Sequence, residues 1–118
     1  MPSLKIAVVI FEDIKRDSGR VYRALITAEE LIEAGEDVTV VFDGSGTESL
    51  AAVLDPDSRL HTLFERIRPH VRGACKHCAR SHRVADVTEA AGIALLSEYK
   101  QHASLPALVR EGYTVLTF

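Results

Sequence analysis

The stretch Leu4–Phe11, LKIAVVIF, is an almost continuous apolar run that is rich in β-branched residues. Such a run predicts a strand that is covered on both faces, as in a parallel sheet. The apolar residues that follow repeat at helical spacing until Gly35 ends the segment: Val21, Leu25, Ala28, Leu31 and Ile32. Val38–Phe42, VTVVF, then predicts a second buried strand. The first 42 residues therefore predict a β-α-β unit with a right-handed crossover.

The remainder of the chain continues this alternation of strands and helices. Three more strands are predicted at Val71–Ala74, Ile93–Leu96 and Tyr113–Phe118. The predicted helices are Glu48–Leu54, Leu60–Ile67, Ala85–Ala91 and a segment that Ser104 caps and Gly112 ends, with a helical turn near Cys78–Arg83. The pattern predicts one α/β domain over residues 1–118 with a mostly parallel, five-stranded sheet.

The composition limits the class of protein. With 118 residues, 47% apolar and 26% charged, the chain predicts a soluble globular domain that buries a core without disulfides or a metal. The formal net charge of −3 gives no reason to expect a nucleic-acid partner. The N-terminal apolar run is too short to span a membrane and lacks a signal-peptide cleavage site. These features favour a cytoplasmic protein with no membrane partner.

The two cysteines of the chain, Cys75 and Cys78, form a C-x-x-C motif in a basic stretch. Between Glu65 and Asp86 every charged residue is basic: Arg66, Arg68, Arg72, Lys76, Arg80 and Arg83, joined by His70, His77 and His82. Nearby cations favour a thiolate and lower a cysteine pKa from about 8.5 toward roughly 3.5–7.5. We therefore expect Arg72, Lys76 and His77 to lower the thiol pKa and to bind the substrate. In a reducing compartment such a motif is more often catalytic, redox-active or metal-binding than a structural disulfide.

The positions of the two cysteines predict different roles for them. Cys75 is predicted to follow a strand and to precede a helix, whose N-terminus further favours a thiolate. Cys78 lies one helical turn further on, so it can reach Cys75 and act as a resolving thiol. We expect Cys75 to be the thiol that partners reach and Cys78 to turn inward or sideways. The alternative interpretation is a pair of small buried residues, since free cysteine is often found in a core.

A zinc site is a further alternative for this stretch. Its ligands would be Cys75, His77, Cys78 and His82, with His61 or His70 as substitutes. These four ligands lie within eight residues, whereas structural zinc sites usually have two ligand pairs separated by a longer loop. No metal is therefore assigned, and His102, in a polar loop, is given no role.

No cofactor site is predicted either. The turn Asp43–Thr47 opens a helix after a strand, but the chain has no GxGxxG motif and no P-loop lysine. The Phe11–Lys15 loop lacks the hydroxyl groups that an FMN phosphate needs. A thioredoxin assignment is disfavoured because the chain has no Trp and its C-x-x-C lies past the midpoint. Cys75, the Asp13–Asp17 loop and the Gly44–Thr47 turn all follow strands, so they are expected to share one edge of the sheet.

The order and spacing of several short motifs resembles the DsrE/DsrF-like family over essentially the whole chain. The motifs are Lys5–Phe11, Gly19–Leu25, Gly35 with Val38–Gly44, Cys75-x-x-Cys78-Ala79 with Val84, and Gly112-Tyr113 with Val115. The resemblance implies a three-layer α/β/α sandwich with a five-stranded sheet, assembly as dimers, trimers or hexamers, and relay of sulfur as a cysteine persulfide. In the sulfur carriers of this family, the active cysteine stands nine residues before a small or apolar residue that ends an Arg-rich turn. Cys75 stands nine residues before Val84, with Arg80 and Arg83 between them, and therefore matches the carrier cysteine.

These observations lead to one preferred hypothesis and one alternative. The preferred hypothesis is a cytoplasmic protein for sulfur relay or thiol–disulfide redox, a sulfurtransferase-like carrier with Cys75 as nucleophile and Cys78 as resolving thiol. Such a protein would form a homo-oligomer, a dimer or trimer, and would exchange sulfur with a donor or acceptor protein. The alternative is a small-ligand or protein-binding module, with or without zinc, that has no catalytic activity.

Overall fold

The computed structural model describes residues 3–118, in which strands and helices alternate. The strands are β1 Lys5–Ile10, β2 Asp37–Phe42, β3 Val71–Cys75, β4 Leu95–Leu96 and β5 Thr114–Thr117. The helices are α1 Ser18–Glu33, α2 Gly46–Leu54, α3 His61–Ile67, α4 Lys76–Ser81, α5 Ala85–Ala90 and α6 Leu105–Arg110, and a short 3-10 helix, Arg68–His70, follows α3. The predicted alternation is confirmed. The fourth strand is shorter than the predicted Ile93–Leu96.

The five strands form a single parallel sheet in the order β4-β3-β2-β1-β5. The chain steps from β1 to β4 in one direction and then returns across the sheet to place β5 beside β1. Because crossovers between parallel strands are right-handed, the helix of this returning connection must lie on the opposite face from the others. The sheet is therefore covered on both sides, and the predicted α/β sandwich is confirmed, with a sheet that is parallel throughout.

Local sequence accounts for the elements that build the first half of the sheet. Residues Ile6–Ile10 of β1 are all buried, which matches the unbroken apolar run and the position of β1 between β2 and β5. Helix α1 begins where the Asp17 side chain accepts a hydrogen bond from the Arg20 backbone N–H at 3.0 Å. It ends before Gly35, whose positive φ of 80° closes the last turn at low steric cost.

The two faces of the sheet carry cores of unequal size. One face packs α1, α2 and α3 against β1 and β2, and the rings of Phe42 and Phe64 meet edge to face with centroids 6.1 Å apart. On the other face Leu108 of α6 packs against β1 and β2, and half-buried residues of the neighbouring loops surround it. Val109 on α6 is 61% exposed. This second face is therefore only thinly covered.

The connections that follow the strands meet at one edge of the sheet. Backbone hydrogen bonds join the turn after β2 to the end of β1, from the Asp43 N–H to the Ile10 carbonyl at 2.9 Å. The loop after β4 reaches the start of α4, where the His77 N–H donates to the Gln101 carbonyl at 2.8 Å. The carboxyl edge thus gathers loops that lie far apart in the sequence. None of the helices within residues 3–118 has both the length and the apolar character needed to cross a membrane.

Candidate functional site

The C-x-x-C motif lies where β3 passes directly into α4. Cys75 is the last residue of β3 and the residue that precedes α4, and Cys78 lies in the first turn of that helix. The helical turn brings the chain back over the strand end, so that the two sulfur atoms lie within 4.8 Å of each other. Both cysteines are free thiols. The predicted strand-to-helix position of Cys75 and its proximity to Cys78 are confirmed.

The exposure of the two thiols is the reverse of the expected order. Cys75 is fully buried, whereas Cys78 is partly exposed. Cys75 is buried because it belongs to β3, an interior strand with β2 on one side and β4 on the other. Cys78 lies one turn further out, on a short helix above the strand end. Direct access from solvent is therefore greater at Cys78.

His102 is the third member of the site, and sequence reasoning did not find it. Its ring Nδ1 lies 3.6 Å from the Cys75 sulfur, although the two residues are 27 positions apart. The ligand atoms of Cys75, Cys78 and His102 all lie within 4.8 Å of one another. His102 lies in the connection between β4 and β5, which crosses the carboxyl ends of the strands and so brings the ring to the thiols. No local sequence pattern could therefore have identified it.

A tight turn between Tyr99 and His102 holds the histidine in place. The Tyr99 N–H donates to the His102 carbonyl at 3.0 Å, and the His102 N–H donates to the Tyr99 carbonyl at 2.7 Å. The two residues between them, Lys100 and Gln101, have positive φ values of 47° and 69°. This backbone conformation costs about 1 kcal/mol or more for a non-glycine residue. The contact between Gln101 and His77 fixes the turn against α4.

The surroundings of Cys78 favour the neutral thiol. Its sulfur donates a hydrogen bond to Asp43 Oδ1 at 3.5 Å. Burial raises the pKa of Cys78 to about 12, and the adjacent Cys75 thiol and the negative charge of Asp43 act in the same direction. A backbone hydrogen bond from Gly44 lowers this pKa in part. At neutral pH Cys78 is therefore a protonated thiol, contrary to what the basic sequence around it predicts.

The predicted basic residues do not converge on the thiols as a group. The Arg72 guanidinium forms ion pairs with Glu98 at 2.9 Å and Glu111 at 2.7 Å, and these two carboxylates raise the pKa of Arg72. Its charge is thus balanced by residues of the β4–β5 connection. Lys76 opens α4, and the exposed ring of His77 packs on that of His102, with centroids 4.4 Å apart.

The other histidines considered as alternative zinc ligands lie elsewhere. His82 Nδ1 pairs with Glu48 on α2. The His61 ring contacts the Val53 carbonyl, and the His70 ring contacts the Val38 carbonyl near the start of β2. Among the described residues, His102 is the histidine that shares a ligand cluster with the two cysteines.

Two surface cavities lie away from the thiols. A cavity of about 440 Å³ is lined by residues of the start of α1 and of the segment before α3, among them Ile14, Tyr22 and Leu60. A second, of about 300 Å³, lies beyond the carboxyl ends of β1 and β5 and is lined by Glu12, Arg16 and others. Neither is lined by a cysteine, so neither provides a binding pocket for chemistry at the motif.

Comparison with known proteins adds information on the fold. The chain is similar to the solved structure of a conserved protein of unknown function from Bacteroides thetaiotaomicron, with a TM-score of 0.66 and 14% sequence identity. The similarity covers 95% of this chain and 94% of that one. No family model matches the chain, and no curated protein matches it. At this level of identity the likeness concerns the fold alone.

Proposed function

We propose that the protein carries sulfur at Cys75, as a sulfurtransferase-like carrier or thiol–disulfide redox protein that resembles the DsrE/DsrF-like family. The observation that carries the proposal is the contact of two free sulfurs and one imidazole within 4.8 Å at the carboxyl end of an interior strand. A nucleophilic thiol, a base and a resolving thiol are the groups that such chemistry needs. All three are present in one cluster.

The first step is attack by Cys75 on a sulfur donor. His102 Nδ1, 3.6 Å from the Cys75 sulfur, accepts the thiol proton and leaves a thiolate. The thiolate attacks the outer sulfur of a donor persulfide. A new sulfur–sulfur bond forms on Cys75, the sulfur–sulfur bond of the donor breaks, and the donor leaves as a thiolate. The imidazolium that results compensates the charge of the Cys75 persulfide.

The second step uses Cys78, which is the more exposed of the two thiols. Cys78 loses its proton to water, and its thiolate attacks the outer sulfur of the Cys75 persulfide. The sulfur moves to Cys78, and the Cys75 thiolate that results regains a proton from the His102 imidazolium. A thiolate of an acceptor protein can then remove the sulfur. Attack on the inner sulfur instead closes a Cys75–Cys78 disulfide and releases hydrosulfide. The high pKa of Cys78 keeps this resolving step slow at neutral pH, which lets the persulfide persist.

The basic residues take separate parts in this proposal. Lys76 and His77 flank the thiols at the start of α4 and attract the anionic donor. Arg72, paired with Glu98 and Glu111, ties the β4–β5 connection to β3 and so supports the position of His102.

Sulfur loading of the metal-free, reduced protein tests the function. We expect incubation with a persulfide donor to add the mass of one sulfur atom to the intact chain, and a thiol reductant to remove it. The measurement is intact-mass spectrometry before and after reduction. A chain that neither gains sulfur nor forms an internal disulfide under mild oxidation contradicts the proposal.

We propose further that the protein is a cytoplasmic homo-oligomer, a dimer or a trimer. Two features support assembly: the exposed apolar side chains of Val109 and Leu116, and β5 as an outer strand of the sheet. Light scattering at micromolar concentration is expected to give a mass that is a multiple of the 12.9 kDa chain. A single species of 12.9 kDa at all concentrations contradicts the oligomer.

The alternative function is a binding module that has no catalytic activity. One observation favours a version of it, because the same three side chains that suit sulfur transfer are also good ligands for a soft metal ion.

A further inference from the structure

We infer that Cys75, Cys78 and His102 form a zinc-binding site in the reduced protein. The inference goes beyond the proposed sulfur chemistry and does not depend on it. Its ligands differ from those of the zinc alternative weighed from the sequence, in which His77 and His82 accompany the two cysteines.

The distances within the cluster fit tetrahedral coordination. With Zn–S bonds of about 2.3 Å and Zn–N bonds of about 2.0–2.1 Å, a sulfur and a nitrogen ligand lie roughly 3.5–3.6 Å apart. The Cys75 sulfur and His102 Nδ1 are 3.6 Å apart. All pairs of ligand atoms lie within 4.8 Å. Two sulfur ligands of zinc lie about 3.8 Å apart, so shifts of about 1 Å or less suffice to complete the site.

The backbone holds the three ligands in place before any ion binds. Cys75 is fixed by the β3 strand, and Cys78 by the first turn of α4. His102 is fixed by a tight turn in which Lys100 and Gln101 both adopt positive φ. Non-glycine residues persist in this conformation where the surroundings over-determine it, and such positions cluster at ligand clamps. The unfavourable turn is an observation independent of the side-chain distances.

The histidines of the alternative ligand set weighed from the sequence fit less well. His82 pairs with Glu48 on α2, which draws its ring away from the thiols. His77 is exposed and packs its ring face on His102, an arrangement that supports the ligand ring without bringing a nitrogen into the cluster. His77 therefore contacts His102 without being a ligand.

The composition of the cluster selects the class of metal. Two thiolates and one imidazole suit Zn²⁺, whereas Mg²⁺ and Ca²⁺ prefer oxygen ligands. Three protein ligands leave a fourth position for water or for a carboxylate oxygen, and Asp43 Oδ1 lies 3.5 Å from the Cys78 sulfur. Because both sulfurs bind as thiolates, a zinc ion and a Cys75–Cys78 disulfide are mutually exclusive.

Zinc titration of the reduced, metal-stripped full chain tests the inference. We expect one Zn²⁺ per chain, measured by native mass spectrometry and by competition with a chromophoric chelator. Cobalt(II) in place of zinc is expected to give thiolate-to-metal charge-transfer absorption. Cys75→Ser, Cys78→Ser and His102→Ala are each expected to weaken zinc binding by about 100-fold or more, since loss of even a supporting residue costs 10–100-fold. His82→Ala is the matched control and is expected to bind as wild type does.

One further measurement tests the inference on the wild-type chain, without any variant. Bound zinc is expected to protect both cysteines of the wild-type chain from alkylation. Circular dichroism checks that each variant is folded. Zinc binding that His102→Ala leaves intact, or that His82→Ala abolishes, overturns the assigned ligands. A wild-type chain that loads sulfur but binds no zinc overturns the zinc site and leaves the proposed function standing. A chain that binds zinc but loads no sulfur supports the zinc site and contradicts the proposed sulfur chemistry.

Discussion

Cys75→Ala is expected to abolish sulfur loading, whereas Cys78→Ala is expected to retain it and to hold the persulfide longer. Cys75 contacts His102 Nδ1 at 3.6 Å, so a base lies beside this thiol. The pKa of Cys78 is raised to about 12, which makes it a weak nucleophile toward the donor at neutral pH. Removing Cys78 also removes the thiol that resolves the persulfide. The measurement is the intact mass of each variant over time after exposure to the donor.

The double variant Cys75→Ala/Cys78→Ala is the background control, because the wild-type chain has only these two cysteines. If Cys78→Ala abolishes loading and Cys75→Ala retains it, the roles of nucleophile and resolving thiol are inverted. The exposure of Cys78 makes that outcome a real test. If both single variants load sulfur as wild type does, neither cysteine is the site, and the sulfur-carrier proposal is wrong.

Gly46→Ala is expected to lower the free energy of unfolding by about 3–5 kcal/mol, since overpacking against an immobile backbone lies at the upper end of single-substitution effects. A Cβ atom at Gly46 would lie 1.9 Å from the Ile10 carbonyl oxygen. That oxygen already accepts a hydrogen bond from the Asp43 N–H at 2.9 Å, so the strand end cannot move aside without breaking it. Helix α2 would have to withdraw from β1. Denaturant titration gives the free energy.

Gly19→Ala is the matched control for this substitution, because Gly19 also lies in the first turn of a helix. Its nearest contact for an added Cβ is Asp17 Oδ1 at 3.4 Å, an ordinary van der Waals distance. Alanine there is expected to be neutral or to stabilise by up to about 1 kcal/mol, because glycine loses more backbone entropy on folding. A Gly46→Ala variant as stable as Gly19→Ala would show that α2 does not press on β1 as closely as described.

The prediction of the fold from sequence rested on patterns that are complete within short segments. The apolar run at Leu4–Phe11 predicts β1, and helical spacing between Val21 and Ile32 predicts α1. The apolar residues that form each pattern are the same residues that become buried. The local sequence is therefore enough to predict the strand or the helix. The position of Cys75 between β3 and α4 follows in the same way.

For Arg72 and Cys78, neighbours in sequence are not the neighbours that matter in space. The basic stretch predicts a lowered thiol pKa, yet Arg72 on β3 pairs with Glu98 and Glu111, which lie 26 and 39 residues away. Cys78 lies beside Asp43, 35 residues away, and burial raises its pKa. Alternate residues of a strand point to opposite faces, so a run of like charges along the chain need not act on one group.

Local sequence patterns are enough to predict the order of strands and helices, the carboxyl edge as the place of the C-x-x-C motif, and the spacing that lets Cys78 reach Cys75. The burial of Cys75, the partial exposure of Cys78 and the place of His102 in the cluster follow from tertiary contacts. The physical reason is that these properties depend on the strand order β4-β3-β2-β1-β5, which makes β3 an interior strand and returns the connection after β4 across the strand ends. Periodicity reports what each segment buries, whereas the meeting of distant side chains depends on how the segments cross.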